Sequence, residues 1–196
     1  MKTRDKVIDC AIHLFNEKGT TAVSTNHIAV AAGISPGNLY YHFRNKEDII
    51  FAIFEQMDLC GTSQYQSVIE SYPSGTMESL EQTFLMIQKF NWRYRFFKRE
   101  LTTLVMNIPL LKERFHATNT QTKEMIRFAI ENGIANNTIK PLDVLTKNHL
   151  VDAMWLVALF WLNYLEVGGE EVDDSSLKRG NSVLHTILGP YLVTNY

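Results

Sequence analysis

Cysteine is scarce in this sequence, which has only Cys10 and Cys60 among its 196 residues. Two isolated cysteines make neither a disulfide framework nor a metal-ligand spacing. Cys10 falls among Val7, Ala11 and Leu14 on one helical stripe, so we expect a small core residue rather than a nucleophile there. The composition therefore excludes a small domain held together by disulfides or zinc.

Long hydrophobic runs are also lacking. The longest uninterrupted apolar run, residues 153–162, is too short to span a bilayer and is typical of a helix buried in protein. The first ten residues carry charges throughout, unlike a secretory signal. We therefore expect a cytoplasmic protein that does not enter a membrane.

No segment shows the alternating pattern of a β-strand. Apolar residues make up 45% of the chain, enough for a substantial core, and they recur at helical spacing. Breaks are predicted at Gly19, Gly33, Gly61 and residues 71–75, and again further along the chain. The first 50 residues hold slightly more basic than acidic side chains, whereas the remainder is acidic. This weak asymmetry suits an N-terminal region that meets phosphates.

Three helices are predicted before residue 45. Residues 3–18 place apolar side chains on one helical face. Ser24 is a natural N-cap for a second, short helix that Gly33 stops. Ser35 caps a third helix whose first residue is Pro36, where a proline loses no hydrogen bond. Two short helices joined by a glycine-containing turn and packed on a longer first helix form a helix-turn-helix arrangement.

The third predicted helix carries the chemistry of a surface that reads DNA. Leu39 and Phe43 can face the core together, which leaves the other side chains outward. Asn38 can form a two-hydrogen-bond pair with an adenine edge, and Gly37 lets the backbone come close to a phosphate. Lys46, beside free amides of a fourth helix, would clamp a phosphate. The alternative is that the outward aromatics pack on the rest of the protein and Asn38 only supports the cap.

A wider set of residues in this region matches a known pattern. The set is Arg4, Ala11, Leu14, Phe15, Gly19, Ser24, Ile28, Ala29, Ala32, Gly33, Ile34, Ser35, Gly37, Leu39, Tyr40, His42, Phe43, Asn45 and Lys46. It covers roughly the first quarter of the chain and resembles the DNA-binding domain of the TetR family of bacterial repressors. The resemblance implies that the helix from Pro36 is the recognition helix. His27 stands where the family often has an acidic or other polar residue, which argues against a capping box.

Together, the residue chemistry and the resemblance give a set of predicted DNA-binding residues. These are Ser24, Thr25, Asn26, Ser35, Pro36, Gly37, Asn38, Tyr40, Tyr41, His42 and Lys46. The fold expected is all-α, with a three-helix helix-turn-helix domain at residues 1–46. A larger helical-bundle domain for ligand sensing and dimerisation would follow at residues 47–196. Residues 94–111 also resemble one subgroup of the family's sensor domains.

The last two predicted helices indicate a homodimer. The helix over residues 143–167 is apolar almost all round in its middle, and the final helix carries a leucine-rich stripe. Two such helices from each chain form a four-helix bundle, which is how the family's dimers are built. The predicted interface residues are Trp155, Leu159, Leu184, Ile187, Leu188 and Tyr191. The alternative is that both helices fill the core of one chain.

Aromatic and methionine side chains recur through the larger domain. Such side chains line adaptable apolar cavities, although they also make ordinary cores. The predicted ligand-binding residues are Met57, Phe84, Gln88, Phe128 and Trp155, with Gln88 orienting the ligand. The expected effector is small and largely apolar or aromatic.

A metal enzyme is the alternative from another functional class. Glu113 and His116 have the Glu-x-x-His spacing of helical two-metal sites, but those sites need a second such motif, and the sequence has none. We therefore expect no catalytic site, no metal and no cofactor. The function expected is a repressor that binds an inverted-repeat operator as a dimer and is released by the ligand. A further alternative is that the larger domain binds a protein partner instead.

Overall fold

A computed structural model describes residues 2–193 of the chain, and in this range it consists of helices with no β-strand. The helices are α1 (Thr3–Ala22), α2 (Thr25–Ala32), α3 (Pro36–His42), α4 (Lys46–Ser71), α5 (Met77–Arg93), α6 (Arg95–Arg99), α7 (Leu101–Asn107), α8 (Pro109–Ala135), α9 (Val144–Val167) and α10 (Asp174–Leu188). A short 3₁₀ turn follows at Gly189–Tyr191. The prediction of an all-α fold is confirmed.

The chain forms two compact units. The head unit combines the chain up to Cys60 with Tyr94–Phe115. The body unit combines Gly61–Arg93 with the chain from His116 onward. The predicted domain boundary after residue 46, where α4 begins, remains a prediction.

The helix ends in the head unit follow the local sequence signals. Gly19 leaves the helical conformation, at φ 76° and ψ 161°, and so interrupts α1 just before its last turn. The Ser24 hydroxyl accepts from the His27 amide at 3.2 Å, and α2 ends at Gly33 in the left-handed conformation. The Ser35 hydroxyl accepts from the Asn38 amide at 3.2 Å, which caps α3.

The expectation about His27 was wrong, because α2 does have a capping box. The Nδ1 atom of His27 accepts a hydrogen bond from the Ser24 amide at 3.2 Å, while the Ser24 hydroxyl accepts one from the His27 amide. A neutral imidazole nitrogen is a hydrogen-bond acceptor, so it can replace the carboxylate that usually completes this motif.

An aromatic cluster fills the core of the head unit. The rings of Phe15 and Phe96 have centroids 5.2 Å apart, and Phe54 stacks on Phe97 at 5.4 Å. Phe115 adds a third contact to Phe54 at 6.3 Å. Rings at these separations contribute beyond the area that they bury. The cluster therefore ties α6 to α1 and to the first half of α4, although these segments are far apart in sequence.

The prediction that Gly61 interrupts a helix was also wrong, since α4 continues through it to Ser71. A single glycine inside a helix costs only about 1 kcal/mol relative to alanine, which the rest of a long helix can offset.

Helices α5, α8, α9 and α10 supply the core of the body unit. Leu150, Met154, Trp161 and Leu184 are all buried there. Asp143 caps α9 by accepting from the Thr146 amide at 2.9 Å. Hydrogen bonds from Thr146, its backbone amide first, hold the pKa of the Asp143 carboxyl below its usual value.

Within the described range, α9 is the helix long and apolar enough to cross a membrane by length and composition. One face of it packs into the core of the body unit, and about 33% of its most apolar stretch is buried in this way. Core helices of soluble proteins have the same composition, so these properties alone do not indicate a membrane span.

Gly180 marks a position of very close packing in the body unit. A methyl group at its Cα would lie 2.5 Å from Cζ of Phe84 and 2.8 Å from Cε2 of Trp161. Separations this short are repulsive, so α10 can approach α5 and α9 only with glycine at this position.

We expect Gly180→Ala to lower the free energy of unfolding by about 1–3 kcal/mol, because the added methyl group overpacks the core. Denaturant titration of both proteins measures the change. Gly189→Ala is the matched control, since a methyl group there meets no described atom within 4 Å. Equal stability of the two variants would contradict this account of the packing.

Candidate DNA-binding surface and ligand cavity

Helix α3 has one buried face and one exposed face. Leu39 is fully buried and Phe43 is 4% exposed, whereas Tyr41 is 84% exposed and Tyr40 is 50% exposed. The Arg4 guanidinium lies over the Phe43 ring, 5.3 Å from its centroid. The short helix is therefore held by its inner face, and its outer face is available to another molecule.

The structure brings the predicted DNA-binding residues together in the head unit, at the start of α2, along α3 and at the start of α4. Most of these side chains are exposed, and Thr25, His42 and Lys46 are half-buried. The hydroxyls of Thr25 and Tyr40 share a hydrogen bond of 3.1 Å, which joins the start of α2 to α3. The roles of individual residues in DNA binding remain predictions.

Ser24 and Ser35 each accept a hydrogen bond at the start of a helix and still have a hydroxyl proton to donate. The Ser24 and Ser35 hydroxyl oxygens accept from backbone amides, as described above. A serine hydroxyl that accepts one hydrogen bond can still donate its proton to another group. Each serine can therefore cap its helix and donate to a phosphate oxygen at the same time.

Lys46 makes bonds that the sequence did not reveal. Its Nζ atom donates to the carbonyl oxygens of Thr20 at 2.6 Å and Val23 at 3.1 Å. An ammonium group has three donors, so one remains for a phosphate. Lys46 thus stabilises the end of α1 in addition to any contact with DNA.

The body unit contains an apolar cavity of about 120 Å³. Phe84 and the methionines Met77, Met125 and Met154 contribute to its wall, and hydroxyl groups such as that of Thr83 lie among them. None of the described residues that line it carries a formal charge. The cavity suits an uncharged, largely apolar ligand.

Of the five residues predicted to bind ligand, Phe84 lines this cavity and the other four do not. Met57 is buried in the head unit, and Phe128 is 57% exposed on α8. Trp155 lies beneath Lys123, whose Nζ atom is 5.1 Å from the ring centroid. Gln88 is fully buried and donates to the carbonyl of Ala158, a lining residue, at 3.0 Å.

Helical spacing identifies which residues share a face, but it does not show which face borders a void. For this reason the lining residues Thr83 and Met125 were missed, although the recurrence of methionine pointed to the right kind of surface.

Two of the predicted dimer-interface residues need correction. Leu184 and Leu188 are each only 2% exposed, because they fill the core of the body unit against α5 and α9. They are therefore not available to a partner. Trp155, Leu159, Ile187 and Tyr191 are half-buried, so part of each surface remains open. Their place in an interface remains a prediction.

An exposed apolar stripe on α9 was not singled out from the sequence. Leu156, Phe160, Tyr164 and Val167 are between 38% and 89% exposed, and they are spaced as one face of a helix. Continuous apolar surface of this kind is typical of a site that a partner covers.

In the described part of the chain, no group of three or more His, Cys, Asp or Glu side chains is placed to hold a metal ion. Burial raises the pKa of the Cys10 thiol, which disfavours the nucleophilic thiolate.

Comparison with known proteins agrees with this arrangement. A family model described as "Bacterial regulatory proteins, tetR family" matches residues 7–53, and one described as "Bacterial transcriptional repressor" matches residues 62–196. The repressor KstR2 of Rhodococcus jostii (strain RHA1) is 30% identical over 96% of this chain and 92% of its own length.

Solved structures share the fold. A TetR-family regulator from Marinobacter aquaeolei VT8 is 33% identical with a TM-score of 0.87, over 100% of this chain and 94% of its own. A complex of SmeT with triclosan has a TM-score of 0.71 at 19% identity, over 100% and 94% of the two chains. The chain belongs to the TetR family and is a DNA-binding transcriptional regulator. The family is a class of regulators and not of enzymes.

We predict that Asn38→Ala relaxes the preference for one base pair in each half-site, at a cost of about 1–3 kcal/mol, because a two-bond contact to a base edge is lost. Tyr41→Phe should instead weaken binding to all sequences by the same factor, because the family resemblance implies that Tyr41 contacts a phosphate, and such a contact carries no sequence information. Selection of bound DNA from a random pool with each variant distinguishes the two effects. The same uniform loss for both variants would contradict the assigned roles.

Proposed function

We propose that this regulator is a repressor that binds an inverted-repeat operator as a homodimer and is released by a small, largely apolar ligand. The observation that carries the proposal is the presence, in one chain, of an exposed recognition helix and an uncharged cavity. The similarity to KstR2, which is named a transcriptional repressor, supports repression rather than activation.

The outer face of α3 supports contact with DNA in the major groove. Tyr40 and Tyr41 expose aromatic rings that carry hydroxyl groups, and Asn38 exposes a carboxamide. Together they offer hydrogen bonds to base edges and phosphates within a single short helix. The free hydroxyl protons of Ser24 and Ser35 extend the phosphate contacts to the neighbouring helix ends.

A dimer is needed because one short helix contacts only a few base pairs. In a two-fold dimer, two recognition helices enter successive major grooves about 34 Å apart, and the operator is then an inverted repeat. The exposed stripe of Leu156, Phe160, Tyr164 and Val167 supports an interface through α9. Covering this stripe in a dimer accounts for the apolar character of α9 in a cytoplasmic protein, so no membrane is required.

We expect Phe160→Glu to yield monomers that lose specific operator binding, because a carboxylate would be buried against an apolar partner surface. Sedimentation measures the oligomeric state, and fluorescence anisotropy measures operator affinity. Phe128→Glu is the control, since it places the same charge at an exposed aromatic residue on α8. A Phe160→Glu variant that remains dimeric would place the interface elsewhere.

The chemistry of the cavity indicates the effector. A cavity of about 150 Å³ with an apolar lining holds a benzene molecule, so the 120 Å³ available here corresponds to about one ring. A larger effector has to widen the cavity as it binds. Ser74 is one of the lining residues, and its hydroxyl oxygen is buried without a hydrogen-bond partner within the described chain. A polar group on the ligand would satisfy it and orient the ligand.

Release from DNA follows from differential affinity. A ligand that binds more tightly to the conformation that fits DNA poorly weakens operator binding by that difference, typically about 1–3 kcal/mol. Operator DNA must weaken ligand binding by the same factor. Selection of bound DNA from a random pool, repeated with candidate metabolites, tests sequence preference, two-fold symmetry and release together. A pool with no enriched sequence would overturn the proposal.

We predict that Ala129→Leu preserves operator binding but abolishes release by the effector so identified, because the added atoms occupy the cavity that Ala129 lines. Ala135→Leu makes the same change at an exposed position of α8 and should respond like the parent protein. Anisotropy titrations of operator with increasing effector measure the response. If the Ala129→Leu variant is released like the parent, the effector binds outside this cavity.

A further inference from the structure

The break in α1 is held by two charged side chains of the head unit, Lys46 at the start of α4 and Glu100 between α6 and α7. Thr20 follows Gly19 directly, and its backbone amide donates to Oε1 of Glu100 at 2.8 Å. Its hydroxyl also donates to Oε2 of Glu100. Its carbonyl oxygen accepts from Nζ of Lys46 at 2.6 Å. All three polar groups of this buried threonine are thus bound by two side chains of opposite charge.

Glu100 acts together with its neighbour Arg99. In an uninterrupted helix, the amide of residue 20 would donate to the carbonyl of residue 16. Here the Thr20 amide donates to Glu100, and the Asn16 carbonyl accepts from Nη1 of Arg99 at 3.1 Å. The adjacent side chains of Arg99 and Glu100 therefore supply partners for the two backbone groups that the break at Gly19 separates.

A further hydrogen bond fastens the same turn to α6. The side-chain oxygen of Asn16 accepts from the Phe96 amide at 3.0 Å, and Asn16 is buried. Gly19 also leaves little room for change, because a methyl group there would lie 3.1 Å from Oε1 of Glu100. The geometry of the break is thus fixed by the 96–100 segment, which lies far from the recognition helix in sequence.

The held segment leads directly into the DNA-facing surface. Lys46 bonds to the carbonyls of both Thr20 and Val23, and the next residue, Ser24, caps α2. We propose that Glu100 is a positioning residue for operator binding, because its carboxylate holds the α1–α2 connection in the conformation that presents the start of α2 to phosphates. This inference rests on the operator binding proposed above. Glu100 itself makes no contact with DNA in this scheme.

The direction in which operator affinity changes distinguishes a positioning role of Glu100 from a simple effect of its charge. A carboxylate in the head unit repels phosphates, so its removal should by charge alone leave operator binding unchanged or tighten it. If Glu100 positions the α1–α2 connection, its removal has the opposite effect and weakens operator binding. Glu55 is an exposed residue of α4 in the same unit, so Glu55→Ala removes the same charge without touching the break.

The experiment compares Glu100→Ala, Glu55→Ala and the parent as full-length proteins, on the selected operator and on unrelated DNA of equal length. We expect Glu100→Ala to weaken operator affinity by about tenfold, equivalent to about 1.4 kcal/mol. Its affinity for unrelated DNA should stay the same or rise slightly, because that binding depends on charge, and the variant has lost one negative charge. Glu55→Ala should bind the operator as tightly as the parent or more tightly. Parent-like or tighter operator binding by Glu100→Ala overturns the inference.

Two further variants keep the test decisive if Glu100→Ala does not fold. Glu100→Gln keeps one acceptor oxygen and the side-chain shape. It should therefore bind the operator more weakly than the parent but should not lose specific binding. Thr20→Val removes only the hydroxyl and leaves the net charge unchanged, and it should also weaken operator binding. Parent-like operator affinity for both variants overturns the inference.

Measurements on the parent protein distinguish failure of this inference from failure of the proposed function. A parent that enriches no DNA sequence overturns operator binding, and the positioning role with it. A parent that binds its operator, with variants that bind equally well, overturns the positioning role alone.

Discussion

Leu39 on α3 and Phe43, the residue that directly follows this helix, lie four residues apart, and both are buried in the head unit. Their burial determines the rotation of α3 about its own axis, and hence which of its side chains are exposed. Because α3 is only seven residues long, it has no stability of its own and depends on these two contacts and its cap. The exposed tyrosines, the asparagine and the glycine of α3 derive their orientation from this anchoring.

The local signals in the sequence were sufficient where the structure is local. Ser24, Ser35, Pro36 and Gly33 define the ends of α2 and α3 through bonds that span three or four residues, so their positions could be predicted. Membership of the TetR family also followed from closely spaced residues in the first quarter of the chain, and the comparisons confirm it.

The sequence was less informative where a residue's role depends on distant segments. Leu184 looked like an interface residue because its stripe is apolar, but the same stripe is what a core requires. Phe128 and Thr83 both lie on helices, and only tertiary packing decides that Phe128 faces solvent while Thr83 borders the cavity. The bonds of Glu100 to Thr20 join residues 80 positions apart, and no periodicity predicts them.

The close approach at Gly180 has a consequence for the cavity. Phe84 forms part of the cavity wall, and its ring also rests against the backbone of α10 at Gly180, where not even a methyl group fits. That wall is therefore stiff, because the ring has no space behind it. Met125 on α8 also lines the cavity, and its unbranched side chain can change rotamer more easily. A ligand too large for this cavity would therefore displace side chains of α8 rather than the ring of Phe84. The cavity can thus widen more easily at α8 than at Phe84.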